Sequence, residues 1–410
     1  MDFKQRYKQI FPYSFLIFGL LFFLLFFAAQ LNNHRFWLND FRVYYEAACE
    51  FFAGNSCYGK PFGLDSGFYK YSPIALIPFY PLSLLPFKVA AVCYYFIMLV
   101  GFLWLFRHLL IYFDSKYPEI KWNRYAFLAF LICVNHFYRE FHLGNINMLL
   151  LLLMLLALRF IMEGKELFAG SIIALAILFK LHFLIFIPWL IVRRRWHTLV
   201  AIFTTLAFGL LIPFIWMGVD GYNDLIRQWF AIIQVHNVSP IEHQDTIYFQ
   251  FNQVFRLLNI PVSSKILILL VLGLVASSFL ALILRNFKWE QSNIRLRSFH
   301  FRLEFFVLLA LVPSLTVTDT EHFLLALPLI FYSILIFIRL SFTSVWKYLI
   351  VLSWLLYGAN WHDLLGATFS KTVASVGTLG LGNFLLVLIL CIVTVWCCDN
   401  TGCLKKKGEF

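Results

Sequence analysis

Residues 168–195 read FAGSIIALAILFKLHFLIFIPWLIVRRR, and how they lie in a membrane decides the topology of everything after them. The apolar run 168–192 is long enough for one crossing, since about 20 apolar residues span a bilayer core. Yet Lys180, His182 and Pro188 sit inside it. A charge at that depth is costly, and a proline interrupts a helix. Basic residues favour cytoplasmic loops. Lys4, Arg6 and Lys8 precede the first apolar run and place the N-terminus inside. Alternating from there, the basic stretches 107–124, 159–165, 193–195, 285–302, 339–347 and 405–407 share one side only if 168–192 enters and leaves by the same face. The spacing therefore predicts two half-helices that turn near Lys180. One straight span would reverse the later topology and put the basic 285–302 loop outside.

Working outward, full spans are expected at 11–31, 88–112, 124–141, 146–163, 198–217, 264–286, 303–319, 322–340, 346–360 and 379–397. The expected fold is an all-α polytopic membrane protein of about ten spans plus the half-helix pair, with both termini cytoplasmic and a single domain over 1–410. Composition agrees: 61% of the 410 residues are hydrophobic and 13% are charged. Soluble domains are about 45–50% apolar and about 25% charged. Disorder is excluded by the same numbers. Eight cysteines over this length exclude a disulfide scaffold. The net charge of +12 reads as orientation rather than as attraction to nucleic acid. The first apolar run reads as an uncleaved span, because it is long and no small-residue cleavage site follows Gln30. No internal repeat is detected.

Two long segments, 32–87 and 218–263, fall on the outer side. Asn39–Phe52 has apolar residues at helical spacing, with Asn39 or Asp40 as N-cap, and reads as an interfacial amphipathic helix. Pro73, Pro78, Pro81 and Pro86 prevent one straight helix through 72–87. Asp40 stands among Phe36, Trp37, Phe41, Tyr44 and Tyr45 at the outer boundary. A partly desolvated carboxylate there suits a general base. A helix cap is the plainer role, and the two are compatible.

Other polar groups reach the same face or its membrane depth: Arg139, Glu140, His142, Asn145 and Asn147; Lys180 and His182; His236, His243 and Asp245; Asp319, Glu321 and His322. Each alone could be a structural hydrogen-bonding group. Their convergence points to a polar site at membrane depth. A carboxylate to deprotonate a hydroxyl, with cations to hold a phosphate leaving group, suits transfer from a lipid phosphate to a hydroxyl acceptor. No GxxxxGK[ST] loop, convincing GxGxxG or HExxH motif is present, and the cytoplasmic loops leave no room for a nucleotide-sugar domain. No cofactor is implied; a divalent metal is neither required nor excluded, and no metal ligands are assigned. Cys49 and Cys57 share the first outer segment and could pair in an oxidising compartment.

The stretches NDFRVYYEAACEFFAGNSCY and FYKYSPIALIPFYPLSLLPF resemble the first-loop signature of glycosyltransferase family 87. This family belongs to the GT-C superfamily and includes the mycobacterial phosphatidylinositol mannoside mannosyltransferases. GNINMLLLLLMLLAL is similar to its Gly-Gln-x-Asn element, with Asn145 where Gln is usual. AGSIIALAILFKLHFLIFIPWLIVRRRW is similar to its Lys-centred, Arg-terminated segment, and TEHFLLALP to its late His-containing segment. The resemblance covers most of 36–330. It implies a membrane-embedded, inverting transferase that moves a sugar, with mannose expected, from a polyprenyl-phosphate donor to a lipid or glycan hydroxyl. It places the enzyme in a bacterial inner membrane with the site facing the periplasm. Asp40 matches the first-loop base. Lys180, His322 and Arg139 are expected at the donor phosphate, and Tyr44, Asn145, His182, His236 and His243 at the substrates. Many superfamily members carry a second acid in the first loop, for which Glu46 and Asp65 are the candidates here.

Two other classes share parts of this pattern. A lipid-linked sugar transporter or flippase has midplane charges and broken helices, but also inverted repeats, which are not found. An oligosaccharide polymerase or ligase uses a polyprenyl-diphosphate donor and a large late outer loop, and 218–263 is of that kind.

Overall fold

The computed structural model describes residues 13–63, 67–235, 240–290, 294–317, 319–340, 344–359 and 366–399, and the regular elements among them are helices. The helices are α1 Ser14–Asn32, α2 Asn39–Phe52, α3 Phe87–Lys116, α4 Trp122–Leu143, α5 Asn147–Met162, α6 Glu166–Phe179, α7 Phe186–Val192, α8 Trp196–Leu211 and α9 Phe214–Val235. They continue as α10 Ile247–Leu257, α11 Ser264–Glu290, α12 Ile294–Leu315, α13 Leu327–Arg339, α14 Val345–Gly358, α15 Ala367–Val376 and α16 Thr378–Asp399. Short 3₁₀ helices at Pro73–Phe79, Leu181–Ile185 and Thr320–Ala326 interrupt them.

Among the described residues, five helices are long and apolar enough to cross a membrane, or up to seven if each of two bent pairs is one span. One pair, α4 and α5, bends by 114° at Gly144. Several of the expected spans are shorter as helices. Where 198–217 was expected, α8 stops at Leu211, because Pro213 cannot continue the ladder and restricts the residue before it. Gly218, at φ 67°, then kinks α9.

The chain divides into two compact units. The first comprises Met1–Phe127 and Phe137–Asn237, the second Leu128–His136 and Val238–Phe410. In the first, the core is aromatic. Phe23 stacks on Phe141 with centroids 3.8 Å apart, and Phe15, Phe102, Phe106 and Phe137 pack around them. In the second, α14 packs along α16 and α12 lies against α11 and α16. Buried amide and hydroxyl groups tie these helices. Asn383 donates to Ala310 O (2.7 Å) and Ser314 Oγ (2.8 Å), and the Trp354 indole donates to Ser333 Oγ (2.8 Å).

The 168–192 stretch is broken at Lys180, whose backbone is extended (φ −139°, ψ 111°). Helices α6 and α8 run side by side in the same direction. Gly170, near the start of α6, has no Cβ and lies against Thr198 O and Ala201 near the start of α8. Gly209, near the end of α8, faces Leu178 at the end of α6. For α8 to begin where α6 began, Leu181–Val192 must carry the chain back. It does so to within a hydrogen bond: Arg195 Nη1 donates to Glu166 Oε1 at 2.7 Å. The two half-helices expected around Lys180 are therefore present, and the segment ends at the level where it started.

Candidate functional site

The first-unit site is built on α2. Its residues Phe41, Tyr44, Ala47, Ala48 and Phe51 are buried, and this one-sided stripe holds the helix against the protein. The N-cap is Leu38, not Asn39 or Asp40. Leu38 is left-handed (φ 42°, ψ 56°), and no side chain caps the helix. Asp40 lies in the first turn, where the exposed N–H groups favour a negative charge. The carboxylate is thus not used up as a cap. Its Oδ2 accepts a 2.6 Å hydrogen bond from Asn145 Nδ2.

Asn145 belongs to the turn Gly144–Asn147 that joins α4 to α5. Gly144 takes φ 71° and leaves no room for a side chain: a Cβ there would lie 2.8 Å from Phe41 Cβ and 3.2 Å from Leu38 Cβ. That close approach brings the turn onto the start of α2. The Asn145 amide is oriented without ambiguity. Its Oδ1 accepts the Ile146 backbone N–H at 2.7 Å, so its Nδ2 must be the atom that faces Asp40. Tyr44 OH also donates to Asn145 Oδ1 (3.5 Å) and meets Tyr71 OH at 3.3 Å. Burial first, then Tyr71 and the Asp40 carboxylate, hold the Tyr44 phenol well above its ordinary pKa, so it stays protonated as a donor. Tyr94 OH donates to Asn145 O (3.4 Å).

Two residues on, Asn147 works with the opposite polarity. Its Nδ2 donates to Glu140 Oε2 (3.0 Å), and its Oδ1 accepts from Lys180 Nζ at 2.6 Å. The other Glu140 oxygen accepts the Met148 N–H (2.7 Å) at the start of α5. Lys180 Nζ also lies over the Tyr71 ring, 5.6 Å from its centroid. One turn thus holds a carboxylate through Asn145 and an ammonium through Asn147, and Tyr71 touches both branches. His182 has a buried Nδ1 with no hydrogen-bond partner among the described residues. Arg139 and Arg35 each lie within electrostatic reach of His142; His142 bonds Gln30 (3.1 Å) and stacks on Tyr138.

Other expectations fare differently. Cys49 and Cys57 are both free thiols, so the expected disulfide is not formed. Cys49 Sγ points to Ser83 O at 3.7 Å, while Cys57 is buried and desolvation pushes its thiol up to about 12. Glu46 pairs with Arg42 (2.8 Å) and accepts the Gly63 N–H (2.9 Å), which folds the first outer segment. Asp65 and His236 lie outside the described residues.

His322 and His243 belong to the second unit. His322 is buried on the 3₁₀ helix Thr320–Ala326. His136 Nδ1 meets Thr320 O at 2.9 Å, and Tyr357 OH donates to Phe323 O, which together brace that helix. The ligand atoms of Asp319, Glu321 and His322 all lie within 4.8 Å of one another, so among the described residues this set could hold a metal ion. His243 sits beside Asp245, whose Oδ1 accepts the Gly380 N–H at 3.2 Å. Burial raises the Asp245 carboxyl above its usual value, against the pull of Gly380 N–H and His243.

Sequence reasoning named Asp40, Tyr44, Asn145 and Lys180 but did not find Tyr71, Tyr94 or Lys70. The alternation Tyr69-Lys70-Tyr71 just ahead of Pro73 was the available signal. Tyr94 carries none, since it reads as part of an apolar span.

The profile of Glycosyltransferase family 87 matches residues 68–313, more than half of the chain. No curated protein and no solved structure matches it.

Proposed function

The chain belongs to glycosyltransferase family 87, and from that premise we propose that it is an inverting transferase taking a sugar, with mannose expected, from a polyprenyl-phosphate donor to a hydroxyl of a lipid or glycan acceptor. The observation that carries the reading is the Asn145–Asp40 hydrogen bond on the same turn that holds Lys180 through Asn147. A base and a phosphate-binding cation are thereby built on one support.

In this reading the donor enters laterally from the outer leaflet, both termini are cytoplasmic, and the site faces the periplasm. Asp40 takes the proton of the acceptor hydroxyl as that oxygen attacks the anomeric carbon. The bond from that carbon to the phosphate oxygen breaks, and its electron pair leaves with polyprenyl phosphate. Lys180 and Arg139 stabilise the phosphate. Tyr44 and His182 contribute polar surface for the substrates. A phosphate leaves without strong acid assistance, so one carboxylate suffices where glycosidases need two.

The test is purified Asp40→Asn with radiolabelled polyprenyl-phosphate mannose and a membrane acceptor extract. A general base contributes about 10²–10⁴-fold, and transfer should fall by at least that range while the variant still folds. Near-normal turnover would remove Asp40 as the base. Consumption of a polyprenyl-diphosphate donor instead would favour a polymerase or ligase. Translocation across vesicles without donor consumption would favour a flippase.

A further inference from the structure

We propose that Lys70, Lys180 and His182 form one anion pocket that receives the donor's phosphate, with Lys70 at its rim. The proposal rests on the transferase reading above and adds to it Lys70, a cation to which the mechanism gave no role.

The placement follows from how the segment before Pro73 docks on the break after α6. Ser72 donates twice to Leu178 O, from its backbone N (3.2 Å) and from its Oγ (2.6 Å). Those bonds lay residues 70–72 along the break. The next residue back, Tyr71, puts its ring under Lys180 Nζ, and its carbonyl accepts from Tyr58 OH at 2.8 Å. Lys70 is fixed at its carbonyl by the Trp229 indole N–H (3.1 Å), while its side chain is exposed. His182 lies within electrostatic reach of Lys180 and, more weakly, of Lys70.

Lys180 and Lys70 bring two ammonium groups within electrostatic reach of the His182 imidazole, surroundings that favour an anion. The buried Nδ1 of His182, with no partner among the described residues, is a polar atom whose desolvation is uncompensated in the protein alone. A phosphate oxygen accepts from that imidazole and adds a negative charge beside the two ammonium groups. The donor phosphodiester carries one negative charge and the released monophosphate up to two. Two ammonium groups and an imidazole N–H therefore gain interaction as the leaving group forms, which favours the transition state over the ground state. Buried Lys180 reaches the phosphate from the protein side, and Lys70 closes it from the aqueous side.

The experiment is equilibrium binding of undecaprenyl phosphate to the purified full-length protein in detergent, with Lys70→Ala, Lys70→Arg and His182→Gln. Lys70 is exposed, so its replacement leaves the packing intact, and thermal unfolding checks His182→Gln. Kd should rise about tenfold in Lys70→Ala and in His182→Gln, equivalent to about 1.4 kcal/mol. It should stay within about twofold in Lys70→Arg. The affinity of Lys70→Ala should also fall less steeply with added NaCl than that of the unaltered protein. Lys60→Ala, which removes a lysine paired with Glu50 at 2.6 Å in the same outer segment, serves as the control and should bind normally. Unaltered affinity in either Lys70→Ala or His182→Gln overturns the pocket, even if Asp40→Asn is inactive. Failure of the unaltered protein to bind the lipid overturns the polyprenyl-phosphate reading and the pocket with it.

Discussion

Replacing Asn145 by Ala removes one hydrogen bond from the carboxylate on which the proposed chemistry depends. The Nδ2 to Oδ2 distance is 2.6 Å, short for an amide donor and in keeping with a charged acceptor. Hydrogen bonds to charged groups contribute about 1.5–3 kcal/mol. The bond favours the ionised carboxylate, so losing it makes protonation of Asp40 easier. At 1.36 kcal/mol per tenfold change, the acid limb of the pH–rate profile should move upward by about one to two pH units. The variant should lose activity at a higher pH than the unaltered protein does and recover as the pH is raised further. Asn145→Gln, which keeps the amide, should restore most of the acid limb. Asn145→Asp, which sets a second carboxylate against the first, should move the limb further than Ala does. The assay is kcat/KM for sugar transfer between pH 5 and 9 on purified protein. If Asn145→Ala lowers activity equally at every pH, Asn145 serves only as structure and the argument fails.

Three further outcomes can be checked. Gly144→Ala forces a side chain to φ 71° against Phe41 and Leu38, and should lose about 2 kcal/mol or more, read as a lower unfolding temperature; unchanged melting would mean that the turn has slack. A double-mutant cycle on Glu166 and Arg195 should give a coupling of about 1 kcal/mol, the upper range for a partly exposed pair, and zero coupling would deny that the pair ties the segment's ends. The native protein should migrate identically with and without reductant, and Cys57 should react with a maleimide only after denaturation, because burial pushes its thiol up to about 12 and leaves almost no thiolate at pH 8.

Local chemistry was legible in the sequence. Lys180 and Pro188 inside an apolar run announced the break, and α2 runs over Asn39–Phe52 as the apolar spacing indicated. Asp40 stood out because a carboxylate is rare among so many aromatic residues. What sequence could not supply is pairing at long range. Asp40 and Asn145 are 105 positions apart, and no local pattern says that the second donates to the first. Nor does any pattern say that Asn147 accepts where Asn145 donates, since amide polarity is set by the Ile146 N–H and by Glu140. The helix cap was misplaced for a related reason: Leu38 adopts a left-handed conformation that a leucine rarely takes alone, held here where Gly144 approaches its Cβ. Helix lengths fell short of the apolar runs because hydropathy counts residues such as Ile212 and Pro213 that the backbone cannot keep in one helix.

The return of the chain to Glu166 at Arg195 has a consequence for how the gene can vary. Both ends of the 166–195 segment are moored, and Lys180 stands at its far point. One residue added to or removed from α6 would rotate Lys180 by about 100° about the helix axis and shift it by about 1.5 Å, with no slack at either end to absorb the change. Substitutions on the exposed faces of α6 and α7 leave that register alone. Alleles should therefore drift in composition here while keeping the segment's length, and insertions should accumulate instead in the solvent-facing turns around Gly54 and Gly59, where an added side chain meets nothing within 4 Å.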